Sequence, residues 1–258
     1  MSDAVLAANG VTVRLRGAEI VREASFTLRA GEFVAMVGPN GAGKTTLMRA
    51  LAGLIPADGT ILLGGRALGA LTDRERARHI AYLPKGHVFY WPMPVADIVM
   101  LGRAPHADAF SSVSAQDRAA VERALATTET LAFAQRPVTT LSGGERARVA
   151  LARALATQAP VLLADEPTAA LDPRHQLTVM ELLRAAAHSG NAILAIMHDL
   201  ALAARFADRV LVMDHGRLVA DGPPAQALAP ERLAAVFGIE AQIVEIDNKR
   251  VPIAGRAL

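Results

Sequence analysis

A run of small residues in the first quarter of the chain ends in a lysine and two threonines. Its nine residues are Gly38, Pro39, Asn40, Gly41, Ala42, Gly43, Lys44, Thr45 and Thr46. The spacing G-x-x-x-x-G-K-[ST] is typical of loops whose backbone N–H groups surround a nucleotide phosphate, beside a helix N-terminus with partial positive charge. Lys44 would add a full charge for the β- and γ-phosphates of ATP, and the Thr45 hydroxyl is a candidate Mg²⁺ ligand. The alternative is an ordinary glycine turn before a helix.

Two carboxylates follow a second apolar run. Residues 161–164 are Val, Leu, Leu and Ala, and Asp165 and Glu166 come directly after them. Parallel α/β sheets bind ligands at the carboxyl edge of their strands. Asp165 is therefore predicted to hold Mg²⁺, directly or through water, and Glu166 to orient and deprotonate the attacking water. An apolar run that ends in two acids is equally typical of a strand-end turn, so this prediction depends on the loop at Lys44.

A third pattern combines a helix start with two glycines. It consists of Leu141, Ser142, Gly143, Gly144 and Glu145. Ser142 and Glu145 have the spacing of a capping box, which opens a helix. A capping box does not explain the glycines, which weaken a helix. Glycine at a helix N-terminus leaves room for an anion against the free N–H groups, so a second phosphate-binding helix end is predicted here.

The elements that must position these residues follow from the hydrophobic pattern. Residues 33–37 are an apolar run that leads into the loop at Lys44, and beyond residue 160 strand-like and helix-like segments alternate. Such alternation is typical of a mostly parallel sheet with flanking helices. Short alternating segments near the N-terminus predict a small antiparallel β subdomain, and residues 88–158 predict an inserted helical lobe. We expect an α/β fold with a P-loop NTPase core over residues 1–240 and a tail over residues 241–258.

Composition excludes several classes of function. The chain has 258 residues, 52% of them hydrophobic, but no stretch approaches the ~18–20 apolar residues that span a bilayer. The start of the sequence lacks the basic and apolar segments of a secretory signal. Cysteine is absent, and the formal net charge of +2 does not indicate a nucleic-acid surface. We expect a soluble cytoplasmic chain with no nucleic-acid partner.

Together these motifs resemble the ABC (ATP-binding cassette) ATPases over residues 1–240. In that family the L-S-G-G-[QE] signature of one subunit closes on the ATP held by the phosphate loop of another. The resemblance therefore implies a homodimer that sandwiches two ATP molecules and drives a membrane permease. It also assigns residues 169–172, including Asp172, to a dimer-contact loop. His198, after the apolar residues 192–197, matches a histidine that contacts the γ-phosphate.

A narrower resemblance involves the segment Met100-Leu101-Gly102-Arg103-Ala104-Pro105-His106. It is similar to the L-G-R-x-P-H segment of ATPases that serve importers of iron–siderophore, haem and cobalamin. This implies a metal-chelate cargo, a solute-binding protein in the full system and a peripheral position at the cytoplasmic face of the inner membrane. A metal-ion transporter or an exporter is the alternative within the family.

Lys85 departs from the family pattern. The family has a glutamine directly after the segment Tyr82-Leu83-Pro84, where its carbonyl oxygen ligates Mg²⁺. A protonated lysine has only donors and cannot ligate a cation. Lys85 either reaches phosphate oxygens, or swings away and alters coupling, or lies in solvent. We hypothesise that it weakens metal-coupled hydrolysis.

The adenine side of the site also departs from the family pattern. Many relatives stack an aromatic residue on adenine just before the first glycine of the small sheet, but residues 13–17 contain none. Arg16 is a candidate to stack on the base through its guanidinium plane, and Leu15 is a candidate to pack against it.

Three further interpretations stay open. Residues 88–93 contain three aromatics, which form either core or an interface with the permease. A nucleic-acid-linked ABC ATPase is disfavoured, since the chain has one cassette, no cysteine and a short interval between Lys44 and Asp165. A clamp that binds ATP without turnover is favoured by Lys85 and opposed by the intact Glu166.

Overall fold

The computed structural model describes residues 4–86, 88–107, 112–169 and 171–258. Within these ranges the strands are β1 Ala4–Leu15, β2 Ala18–Arg29, β3 Phe33–Val37, β4 Asp58–Leu63, β5 Arg66–Ala67, β6 Ile80–Leu83, β7 Val161–Asp165, β8 Ala192–Ile196, β9 Arg209–Asp214, β10 Arg217–Gly222, β11 Ile239–Ile246 and β12 Lys249–Ala257. The α-helices are α1 Lys44–Leu51, α2 Asp73–His79, α3 Val95–Met100, α4 Ala115–Thr127, α5 Gly143–Ala156, α6 Pro173–His188, α7 Leu200–Phe206, α8 Pro224–Ala227 and α9 Pro230–Phe237. None of these helices combines the length and apolar character that crossing a membrane requires.

The main sheet has the strand order β10-β9-β3-β8-β7-β6. Neighbours from β9 to β6 are parallel, and β10 joins β9 antiparallel. All residues of β3, β7 and β8 are buried, as expected of parallel strands covered on both faces. The predicted α/β fold with a mostly parallel sheet is confirmed.

Alternate residues of β3 enter different hydrophobic cores. Phe33, Ala35 and Val37 pack with the layer that contains α6 and α7. Val34 and Met36 pack on the opposite side, with α1 and a small antiparallel sheet of order β2-β1-β4-β5. Since successive side chains of a strand point to opposite faces, one apolar strand holds the two layers together. The end of β3 is therefore a rigid base for the loop that follows it.

The helical lobe has a core of its own, formed by α3, α4 and α5. Residues 102–106, which precede α4, contact the C-terminal end of α5 through hydrogen bonds and close packing. Arg103 is buried, and its guanidinium bonds the Asp117 carboxylate at 2.8 Å and the Ala156 carbonyl at 2.9 Å. The ring of His106 bonds the Thr157 carbonyl at 2.8 Å. A Cβ on Gly102 would lie 2.2 Å from the Arg153 carbonyl oxygen, so this close approach requires glycine.

The tail predicted over residues 241–258 forms most of a hairpin of β11 and β12. Val251 is fully buried within the main core, and the Lys249 ammonium donates to the Arg205 carbonyl at 2.6 Å. The hairpin is thus packed on α7, and the predicted boundary at residue 240 falls inside a strand.

Candidate active site

The loop between β3 and α1 has glycine where the backbone of the chain leaves no room for a side chain. Gly38 has a φ of 154°, and a Cβ there would lie 2.1 Å from the Met213 carbonyl oxygen. Gly43 has a φ of 96°, and its Cβ would lie 2.8 Å from the Ile20 carbonyl oxygen. Helix α1 begins after Gly43 without a side-chain cap and without an acidic residue in its first turn. Its N-terminal N–H groups are therefore left for an anion.

Lys44 lies inside this loop. Its side chain is buried, and the ammonium donates to the carbonyl oxygens of Gly38 and Pro39 at 2.7 and 2.8 Å. Burial lowers the pKa of Lys44, while the carboxylates of Glu166 and Asp165 act in the opposite direction. The ammonium is thus held at the loop by dipoles and nearby negative charge, in position to meet a phosphate.

Asp165 ends β7 beside the first turn of α1. Its Oδ1 accepts from the Thr45 hydroxyl at 3.2 Å, and its Oδ2 accepts from the Tyr82 hydroxyl at 3.4 Å. Burial raises the pKa of Asp165, and the bond from Thr45 opposes that rise. A buried carboxylate beside a hydroxyl is a set of hard oxygen donors, which suits Mg²⁺ completed by phosphate oxygens. The two predicted metal residues therefore lie together.

Glu166 has a side-chain nitrogen partner on each of its two carboxylate oxygens. It has a φ of 51°, a backbone conformation that is uncommon for a residue with a side chain. Its Oε1 lies 2.6 Å from His198 Nε2, and its Oε2 lies 2.6 Å from Lys85 Nζ. Burial acts to raise the pKa of Glu166, but the bonds from Lys85 and His198 outweigh it and lower the pKa below its ordinary value. Two of the sequence interpretations placed Lys85 free in solvent or turned away from the site. In the structure it is instead paired with Glu166.

A cleft of about 360 Å³ joins the loop to these groups. Its lining is Leu15, Ile20, Asn40, Gly41, Ala42, Gly43, Lys44, Thr45, Thr46, Glu166 and His198. Of the two adenine candidates, Leu15 lines the cleft and Arg16 does not, since Arg16 lies in the turn between β1 and β2. The sequence interpretation missed Ile20 and Tyr82. The strand patterns that contain them were visible, but which strand lies beside the loop is a property of the sheets.

The turn that opens α5 lies outside this cleft. The Ser142 N–H donates to the Glu145 carboxylate at 2.7 Å, and the Glu145 N–H donates to the Ser142 hydroxyl at 3.3 Å. The bond from the Ser142 backbone lowers the pKa of Glu145. None of the residues from Leu141 to Glu145 lines the cleft at Lys44. The predicted capping box is present, and the fold does not bring together, within one chain, the two helix ends that the sequence predicts to bind phosphate.

The two glycines of this turn differ in their surroundings. A Cβ on Gly144 would lie 2.6 Å from the ring of His175, a residue of the same chain. A Cβ on Gly143 would meet nothing within 4 Å among the described residues. The packing of the chain itself therefore requires glycine at Gly144 and does not require it at Gly143.

Asp172 stands at the start of α6. Its Oδ1 accepts from the His175 N–H at 3.0 Å, and its Oδ2 lies 2.7 Å from His175 Nδ1. The backbone bond lowers the pKa of Asp172. Within this chain Asp172 is a helix cap, and it does not line the cleft. In the loop assigned to dimer contacts, residue 170 lies outside the described residues.

The aromatic cluster after Lys85 is largely at the surface. Tyr90 is 83% exposed and Trp91 is 74% exposed, whereas Phe89 is partly buried against the core. Exposed aromatic side chains in one short segment are typical of interaction sites. Of the two interpretations of this cluster, the geometry favours the interface.

Comparisons with known proteins agree with this geometry. Residues 21–169 match the ABC transporter family. The hemin import ATP-binding protein HmuV of Rhodococcus jostii is 44% identical over 241 residues, which are 93% of this chain and 82% of that protein. HmuV of Streptomyces coelicolor is 47% identical over 91% of this chain and 84% of its own length. The cobalamin import ATP-binding protein BtuD of Halobacterium salinarum is 45% identical over 88% of this chain and 57% of that protein.

Solved structures show the same fold. A chain of an inward-facing ABC transporter of the metal-chelate type superposes with a TM-score of 0.83 at 26% identity and covers 97% of this chain and 98% of that one. A dimeric bacterial ABC transporter cassette superposes with a TM-score of 0.74 at 25% identity and covers 85% of this chain and 98% of that one.

Proposed function

The chain belongs to the ABC transporter family as an ATP-binding subunit with ATPase activity, and on that premise we propose that it powers import of a metal chelate through a separate membrane permease. The observation that carries the proposal is the cleft that joins the Lys44 loop to Glu166 and His198. Its lining contains both a cation for the phosphates, Lys44, and a carboxylate for the water, Glu166. This is the arrangement that phosphoryl transfer to water requires.

In the proposed reaction the loop residues 38–46 bind the β- and γ-phosphates through backbone N–H groups and Lys44. Thr45 and Asp165 would hold Mg²⁺, which neutralises phosphate charge when bound. Glu166 accepts a proton from a water molecule as the water oxygen bonds to the γ-phosphorus and the bond to the ADP oxygen breaks. The products are ADP and inorganic phosphate. His198 donates to Glu166 Oε1 and so fixes the direction of the carboxylate.

We propose that two copies act together. No residue that the structure describes would exclude a Cβ at Gly143, and Ser142 and Gly143 at the start of α5 are exposed. A phosphate brought by a second copy would find room there against the helix N-terminus. A solved relative is a dimeric cassette, which supports the same arrangement. In this proposal Leu141–Glu145 and Asp172 of one copy complete the site of the other.

The proposed cargo is based on the names of the relatives, because the cleft itself binds only nucleotide in this proposal. Relatives at 42–47% identity are named as ATP-binding proteins of hemin import. We propose hemin, or a cobalamin or iron–siderophore of similar chemistry, as cargo delivered by a solute-binding protein. The exposed Tyr90 and Trp91 are proposed to contact the permease at the cytoplasmic face of the membrane.

The proposal is tested with the chain reconstituted with its permease in lipid vesicles. We expect ATP hydrolysis to require the permease-bound dimer and to rise when a solute-binding protein loaded with hemin is added. Cobalamin and a ferric siderophore serve as matched cargoes, and Glu166→Gln should abolish hydrolysis with all three. Hydrolysis that persists in Glu166→Gln, or that responds to none of the cargoes, would contradict the assignment.

A further inference from the structure

Lys85 and Glu166 form an ion pair whose two side chains differ in their exposure to solvent. The Lys85 side chain is 58% exposed in the turn after β6, whereas the Glu166 side chain is 10% exposed at the end of β7. Their atoms Nζ and Oε2 lie 2.6 Å apart. Because the lysine is exposed, it is readily rehydrated if it leaves. The buried glutamate carboxylate is not readily rehydrated if the pair opens. The ion pair therefore restricts the position of Glu166 more than that of Lys85.

Both oxygens of Glu166 are engaged at the same time. Oε1 is bonded to His198, and Oε2 is bonded to Lys85. The other charged groups that act on this corner of the site are Asp165 and Lys44. A carboxylate with a donor on each oxygen has one orientation, set by its two partners. For Glu166 to follow a water molecule toward a phosphate, one of these bonds has to open.

We propose that Lys85 is a positioning residue that latches Glu166, and that the γ-phosphate of ATP releases the latch by attracting the Lys85 ammonium. The proposal rests on the function assigned above to Glu166. A lysine donates and never accepts, so its partners are anions: Glu166 in the structure and the phosphate in the bound complex. Of the two contacts of Glu166, the one to Lys85 is the one that opens, because the lysine ammonium is attracted by the phosphate charge and its side chain is the more exposed, at 58% against 45% for His198.

The first test measures steady-state ATP hydrolysis by the chain reconstituted with its permease, with Lys85→Met, Lys85→Gln and Lys85→Arg compared with the unmodified chain. Met removes the charge and cannot ligate a metal, Gln removes the charge and offers a carbonyl oxygen, and Arg keeps the charge. We expect kcat to rise roughly threefold to tenfold in both Lys85→Met and Lys85→Gln with the KM for ATP within about twofold, and Lys85→Arg to keep the rate of the unmodified chain. A rise in Lys85→Gln alone would show that the missing metal ligand limits the rate and would overturn the latch. A fall in kcat in Lys85→Met would overturn it as well.

The second test does not depend on activity. Thermal unfolding of Lys85→Met, Glu166→Gln and the double variant forms a double-mutant cycle for the pair. We expect non-additive Tm shifts, because each single change leaves the other side chain without its partner. Additive shifts would overturn the proposal. Arg250→Met, which removes one exposed charge on β12, is the matched control and should leave both Tm and kcat unchanged.

Failure of the latch and failure of the proposed function give different results. If Glu166→Gln still hydrolyses ATP, the role of Glu166 is wrong, whatever Lys85 does. If Glu166→Gln is inactive and Lys85→Met is no faster than the unmodified chain, the latch alone is wrong.

Discussion

Two helices of this chain begin next to glycine residues, and they begin in opposite ways. Helix α1 follows Gly43 with no side-chain cap and no acid in its first turn. Helix α5 follows Ser142 with a complete capping box and with Glu145 in its first turn. The first start leaves its N–H groups available and holds a buried lysine, and the second satisfies two N–H groups from its own side chains.

The glycines at the starts of α1 and α5 also differ in what surrounds them. Gly38 and Gly43 are required by the carbonyl oxygens of Met213 and Ile20 in the same chain. Gly143 is required by nothing in the described part of the chain. The fold accounts for the glycines of the first start and for Gly144 in the second, but it does not account for Gly143, where the proposed dimer would place a phosphate from the second copy.

The largest effect is expected at the cleft beside α1. Glu166→Gln keeps the size of the side chain and removes its capacity to accept a proton, so hydrolysis should fall by roughly 10²–10⁴-fold. The measurement is steady-state release of phosphate, with ATP binding followed separately by titration. Glu245→Gln, an exposed change on β11, is the control and should be without effect. Hydrolysis within a few-fold of the unmodified chain would remove Glu166 from the site.

The next effect separates the glycines. Gly143→Ala should lower hydrolysis by about tenfold or more while leaving Tm equal or slightly higher, since alanine favours a helix over glycine by up to ~1 kcal/mol. Gly43→Ala should lower Tm, because the added Cβ meets the Ile20 carbonyl and the backbone has a positive φ. Tm from thermal unfolding and hydrolysis are measured on the same samples. If Gly143→Ala loses stability and Gly43→Ala does not, the comparison of the two starts is wrong.

A smaller effect concerns the cap that only α5 possesses. Ser142→Ala removes the acceptor for the Glu145 N–H, which typically costs about 1 kcal/mol. For a domain of this size that corresponds to a fall in Tm of roughly 2–4 °C. Ser142→Asn retains a capping side chain and should recover most of the loss. An unchanged Tm in Ser142→Ala would show that the capping box contributes nothing to stability.

The smallest effect is the dependence on pH of the stability that the capping box of α5 contributes. The pKa of Glu145 lies below its ordinary value of 4.5, chiefly because of the bond from the Ser142 backbone. Its stabilising contribution is therefore present above pH 4.5 and is lost as the pH falls through the lower pKa of the folded chain. Glu145→Gln keeps the shape of the capping box and removes the charge. The difference in Tm between the two chains should be largest above pH 4.5 and shrink toward pH 3, and a difference independent of pH would contradict the assignment.

The sequence was sufficient for the features that depend on local spacing. The loop at Lys44, the capping box at Ser142 and the α/β alternation were predicted from residues that are close in the chain, and the fold and family are confirmed. The roles of the individual site residues stay predictions. The structure places Thr45 beside Asp165, and it places His198 beside Glu166.

Only the tertiary structure decided the features that depend on which strands are neighbours. Because β6 pairs with β7 in parallel, the turn after β6 lies beside the end of β7, and Lys85 meets Glu166 there. The sequence showed only that Lys85 replaces a hydrogen-bond acceptor with a donor. The three placements considered for it there (against phosphate oxygens, turned away, or in solvent) did not include the contact with Glu166. The same holds for Gly38, which must be glycine because of the Met213 carbonyl on β9; β9 is the sixth strand after β3 along the chain but is its neighbour in the sheet. Residue type and local spacing determine what a side chain is able to do, and the pairing of distant strands determines which group it meets.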